Sequence, residues 1–130
     1  MDFLQVSGKT FFITGVANKK SVAFHSAKVL KDNGAELIFS VQNEEQIKKV
    51  ESLFPNSPIY LMDVEKEETI KQVSSSLKEK GIILDGLLHS MAFANLLEPK
   101  PYHETSWEDF AQAERISCFS LMNICGHFKD

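Results

Sequence analysis

A chain of 130 residues with 25% charged and 43% hydrophobic side chains is long enough for one domain that hides roughly two-thirds of its unfolded surface, and too ordinary in composition for disorder. Its net charge of -4 and its lysines scattered among acids argue against a nucleic-acid footprint, and no apolar window reaches the length of a membrane span. The start Met1-Asp2-Phe3-Leu4-Gln5 has neither the basic residues nor the apolar run of a secretion signal, so the expected location is the cytoplasm.

In chain order, Lys9 to Thr14 is a short apolar run between Gly8 and Gly15, the pattern of a strand buried on both faces. Ser21 to Asn33 carries Val22, Ala23, Ala27, Val29 and Leu30 at near-helical spacing, and Gly34 stands where helices end. Ala35 to Val41 is a second strand, Glu44 to Phe54 a second helix, and Ile59 to Met62 a third strand. Glu67 to Lys80 is a third helix with Ile70, Val73 and Leu77 on one stripe, followed by a strand from Leu84 to His89. The prolines between Leu96 and His103 mark a loop. Thr105 to Phe128 reads as one long helix opened by a Thr105 and Glu108 capping pair, with Phe110, Ala113, Ile116, Phe119 and Leu121 expected at core and subunit contacts.

Strands alternating with helices of about 10 to 15 residues imply right-handed parallel crossovers, hence an α/β fold with a Rossmann-like, doubly wound parallel sheet. The whole span 1–130 is expected to be one dinucleotide-binding domain, incomplete after about four strands and a long helix. Cys118 and Cys125 lie seven residues apart on that helix, about 10 Å along its axis, which excludes a disulfide between them. The four histidines show no metal spacing, and no metal is expected.

Doubly wound sheets bind ligands beyond the carboxyl ends of their strands. The first strand runs into Thr14-Gly15-Val16-Ala17-Asn18-Lys19-Lys20-Ser21-Val22-Ala23, a turn that delivers the chain to a helix with unpaired amides. Gly15 permits close backbone approach, and the Ser21 hydroxyl with the amides of Ser21 and Val22 suits a pyrophosphate; equally, Ser21 suits an N-cap and Gly15 a turn. After the second strand come Gln42-Asn43-Glu44-Glu45, a neutral and acidic turn that disfavours a 2'-phosphate and so favours NADH. Asp63 and Val64 follow the third strand, where a carboxylate can meet an adenine amino group or cap a helix. A phospho-acceptor receiver domain also ends its third strand in aspartate, but it needs an acidic pair where this chain has Thr14-Gly15. His89-Ser90-Met91-Ala92-Phe93-Ala94-Asn95 follows the fourth strand with small and apolar residues suited to a flat ring.

Taken together these segments resemble the enoyl-acyl-carrier-protein reductases, a branch of the short-chain dehydrogenases whose first loop is longer than the usual glycine-rich turn. The matching residues are Gly15 to Ala23, Gly34-Ala35-Glu36-Leu37, Gln42-Asn43, Asp63-Val64, His89 to Ala94 and Thr105 to Phe110, in order along nearly the whole chain. The resemblance implies that Gly15, Ser21 and Val22 contact the cofactor's phosphates and nearby ribose, Gln42 its adenosine side, Asp63 and Val64 its adenine, and Ser90, Met91 and Ala92 its nicotinamide end. It further implies NADH as cofactor, an enoyl thioester on acyl carrier protein as substrate, hydride transfer to the thioester's β-carbon in fatty-acid biosynthesis, and a homotetramer.

Two departures qualify that implication. His25 stands where the family commonly has glycine, and is expected to crowd the first helix against its strand. The family's catalytic tyrosine, with a lysine six or seven residues beyond it, is expected after the last helix, where this chain ends. The chain's only tyrosines, Tyr60 and Tyr102, sit instead in the third strand and in a loop, so no catalytic residue is assigned. The alternative reading is a non-catalytic nucleotide-binding remnant.

Overall fold

In the computed structural model, which describes residues 3–129, the apolar run Thr10–Thr14 forms β1 and the helical stripe that follows forms α1, Val22–Asp32. Met1, Asp2 and Asp130, part of the expected domain span, lie outside the described residues. Strand β2 is Glu36–Val41, helix α2 Glu44–Leu53, strand β3 Ile59–Leu61, helix α3 Glu67–Glu79 and strand β4 Gly86–Leu88. A short 3-10 turn at Tyr102–Glu104 precedes α4, Trp107–Glu114, a π-helical turn, Arg115–Phe119, and α5, Ser120–Phe128. Each strand and each of the first three helices lies within two residues of its expected bounds, whereas the expected single helix from Thr105 to Phe128 is interrupted by the π-helical turn.

The four strands are parallel, in the order β3-β2-β1-β4. The chain thus steps outward from β1 to β3 and then returns to the other side of β1, so strand order reverses between β1 and β4. Neighbouring strand residues supply opposite cores: Ile13 and Phe39 join Ala23, Ala27, Val50 and Phe54 beneath α1 and α2, while Phe12 and Ile38 join Ile70, Val73, Leu77 and Ile124 beneath α3 and α5. Phe12, Phe39, Ile13, Ile70 and Ile124 are fully buried, and this two-faced burial is why the strands read as continuous apolar runs. Gly34 ends α1 at φ +85°, a conformation open to glycine at little cost.

The last helix departs from expectation in two ways. Its cap is Ser106, one residue later than the predicted Thr105: the Ser106 hydroxyl accepts from the Asp109 amide at 3.1 Å and donates to the Asp109 carboxylate at 3.0 Å. Two overlapping box patterns compete here, and Thr105 is taken by the 3-10 turn, its amide bonded to Tyr102 O. The π turn then breaks the 3.6-residue phase. Ile116, one of the expected contacts, faces the core with Ile124 and Phe128, while Phe110, Phe119 and Leu121, expected at core or subunit contacts, are 44%, 53% and 41% exposed and lie outside the core.

Candidate functional site at the carboxyl ends of the strands

At the point of strand reversal the buried Thr14 joins β1 to the end of β4, its hydroxyl donating to Leu88 O at 3.0 Å and accepting from the Ser90 amide at 3.3 Å. Gly15 follows at φ +88°. A Cβ there would lie 1.7 Å from Ser90 O, so the two loops meet backbone to backbone only because residue 15 has no side chain.

The meeting of these loops leaves a cavity of about 430 Å³ above the sheet. Its wall runs from Gly15, Val16 and Ala17 after β1, through Gln42 after β2 and Asp63, Val64 and Glu65 after β3, to Ser90, Met91, Ala92 and Phe93 after β4; Ser40, Val41, Gln46, Met62 and Ile116 complete it. Seven of the nine residues singled out from the sequence therefore converge here: Gly15, Gln42, Asp63, Val64, Ser90, Met91 and Ala92.

Ser21 and Val22 do not line the cavity. The Ser21 hydroxyl donates to Asn18 O at 2.7 Å and accepts from the Phe24 amide at 3.3 Å, so it closes the turn and caps α1. Val22 opens that helix with an exposed side chain, its amide among those without an intrahelical partner. His25 lies away from the cavity too, in an open groove with Phe11, Ser26, Val29, Leu30 and Gly86 to Leu88. Contrary to expectation it does not wedge α1 off the sheet, because the fully buried Ala23 and Ala27 make that contact.

The polar groups of the cavity differ in how far they are committed. The Gln42 amide donates to Gln46 Oε1 at 2.9 Å, which fixes the turn into α2. The Asp63 carboxylate accepts from the Glu65 amide at 3.1 Å and lies 3.5 Å from Lys66 Nζ, a local turn rather than the cap of α3, which is Lys66 itself. Ser40 is different: only 4% exposed, its hydroxyl finds no partner among the described residues. A buried hydroxyl without a partner costs on the order of 1–3 kcal/mol, which a ligand group in the cavity would recover. No arginine, lysine or histidine lines the wall, whereas two carboxylates do.

Sequence reading missed Ser40, since a small residue inside an apolar strand carries no motif, and missed Gln46 and Ile116, which helices bring in from a distance. Among the described residues no cluster of three or more histidine, cysteine, aspartate or glutamate side chains is placed to hold a metal ion, and Cys118 and Cys125 are both free thiols. Nor is any described helix long and apolar enough to cross a membrane.

The family model described as Enoyl-(Acyl carrier protein) reductase matches residues 15–130, and so takes in every strand end just described. The chain belongs to the enoyl-acyl-carrier-protein reductase family. Relatives within this family include the Enoyl-[acyl-carrier-protein] reductase [NADPH] FabI of Staphylococcus aureus, 41% identical over 97% of this chain and 52% of its own length. The Enoyl-[acyl-carrier-protein] reductase [NADH] FabI of Rickettsia prowazekii is 40% identical over 92% of this chain and 47% of its own. The FabI crystal structure from Candidatus Liberibacter asiaticus superposes with a TM-score of 0.89 at 34% identity, across 95% of this chain and 50% of that one. The chain thus spans about half the length of the reductases it matches.

Proposed function

We propose that the chain forms the dinucleotide cradle of an enoyl-acyl-carrier-protein reductase and that its cavity takes NADH. The observation that carries this reading is the convergence of Gly15, Gln42, Asp63, Val64, Ser90, Met91 and Ala92 on one cavity at the strand reversal, around an unpartnered Ser40 hydroxyl. Gln42 and Asp63 offer polar groups to the adenosine, Val64 a flat apolar surface to its base, and Met91, Ala92 and Ile116 an apolar wall for the nicotinamide. Ser21 and Val22, at the start of α1, are proposed to act through the helix terminus on the phosphates rather than by lining the wall. When bound, the cofactor supplies a hydride; the residues here hold and orient it and keep water from its ring.

The choice of NADH over NADPH follows from local charge. Relatives of almost equal identity are named for either cofactor, so family membership does not decide it. The cavity wall carries Asp63 and Glu65 and no cation, and Glu44 and Glu45 open the neighbouring α2. At about 6 Å, one carboxylate repels a dianionic phosphate by roughly 1.4 kcal/mol even in water-like dielectric, about tenfold in affinity. Titration of the chain with each nucleotide is expected to show NADH at least about tenfold tighter. Equal affinities, or tighter NADPH, would contradict the assignment.

Reduction of an enoyl thioester on acyl carrier protein, and assembly as a homotetramer, are proposed for the reductase of which this cradle is half the length. The exposed Trp107, Phe110, Phe119, Leu121 and Met122 give the last helix apolar surface for such contacts. Neither tyrosine lines the cavity, and no lysine does. The 130-residue chain is therefore expected to bind NADH without oxidising it in the presence of an enoyl thioester, so the reduced-nicotinamide absorbance should stay constant; its steady loss would contradict this.

A further inference from the structure

The loop after β4 forms one wall of the cavity, yet it has no regular secondary structure from Ser90 to Asn95. Its position depends on the last helix. Ser117 Oγ accepts from the Phe93 amide at 3.0 Å and donates to Phe93 O at 3.3 Å, so one hydroxyl grips both backbone groups of one loop residue. Three residues on, Ser120 Oγ lies 2.7 Å from His89 Nε2 and 3.8 Å from Met91 sulfur. The Ser120 hydroxyl donates to Ile116 O at 2.6 Å, so its oxygen accepts from a neutral His89 protonated at Nε2.

The π turn makes this second contact possible. There the Ser120 amide reaches back five residues to Arg115 O, which leaves Ile116 O open to the hydroxyl of the same serine. The same helix segment supplies Ile116 to the cavity, and one turn earlier Gln112 Nε2 donates to Glu65 Oε1 at 3.3 Å on the opposite rim.

We propose that Ser117 and Ser120, presented by the π turn, are positioning residues that clasp the His89 to Phe93 loop and so fix the wall that meets the nicotinamide ring. The inference rests on the reading of the cavity as a nicotinamide site. Neither serine touches the ring; each acts through the loop. Ser117 is the cleaner probe because it is only partly buried and its removal leaves the core intact.

The test compares the full chain with Ser117→Ala, Ser117→Thr and Ser120→Ala, reading amide hydrogen exchange at Phe93, thermal unfolding and NADH affinity together. Ser117→Ala is expected to stay folded, to speed Phe93 exchange about fivefold or more, and to weaken NADH about three- to tenfold, with Ser117→Thr restoring both. Ser120→Ala is expected to weaken NADH similarly. As a control, Ser52→Ala removes a hydroxyl bond to Lys49 O far from the cavity and should leave NADH affinity unchanged. Wild-type NADH affinity in a folded Ser117→Ala chain would overturn the clasp while leaving the cofactor reading in place; an equal loss in Ser52→Ala would overturn it as well. Failure of the wild-type chain to bind NADH would overturn the cofactor reading, and the clasp's role with it.

Discussion

Gly15 shows how far a single residue decides the site. At φ +88°, with Ser90 O 1.7 Å from where a Cβ would stand, Gly15→Ala must both strain its own backbone and push the two loops apart. A loss of about 2–4 kcal/mol in unfolding free energy is expected, measured by urea denaturation, together with loss of nucleotide binding. His89 offers a test in pH. Burial holds its imidazole below the ordinary 6.5, so below that pH the unfolded chain takes up a proton that the folded chain resists, and stability falls as pH drops. Between pH 7 and 5.5 the wild-type chain should lose more stability than His89→Gln, which keeps a donor for Ser120; equal slopes would contradict the buried neutral ring. That window stays above the titration of Glu67, whose carboxyl the His127 hydrogen bond and Lys71 hold below its usual range. What the sequence showed at this scale was uneven. Gly15, Asp63 and Met91 were legible because residues after strands in a doubly wound sheet face the ligand, but Ser40 has no neighbouring signal, and the Ser21 hydroxyl turned out to be spent on its own turn.

Among the elements, the parallel strands and the first three helices follow from the apolar pattern because the central β1 and β2 are buried on both faces and each helix on one stripe. The last helix does not. The sequence places Phe110, Phe119 and Leu121 at core or subunit contacts, whereas the buried apolar position falls at Ile124, beyond the π turn. No local pattern in Arg115–Phe119 announces the π turn, whose serines meet the β4 loop far away in sequence. A pair of substitutions separates the two phases: Ile124→Ala is expected to cost about 2–5 kcal/mol by leaving a cavity beneath Phe12, and Leu121→Ala under about 1 kcal/mol. Comparable costs at both positions, measured by chemical denaturation, would refute this packing.

For the whole molecule, four strand ends and one helix together build what no segment holds alone. β1 contributes the close approach, β2 the neutral turn and the unpartnered Ser40 hydroxyl, β3 the carboxylates, and β4 the apolar wall that the last helix clasps. Family membership and a shared fold at 0.89 TM-score place the chain among enoyl-acyl-carrier-protein reductases, while its charge pattern argues for NADH within a family whose members are named for either nucleotide. The most direct test of the cradle is backbone amide mapping by nuclear magnetic resonance during an NADH titration. Saturable shifts at Gly15, Gln42, Val64, Met91 and Ala92 are predicted, with the groove around His25 and Leu87 unmoved; absence of shifts up to millimolar NADH, or shifts confined to that groove, would contradict it.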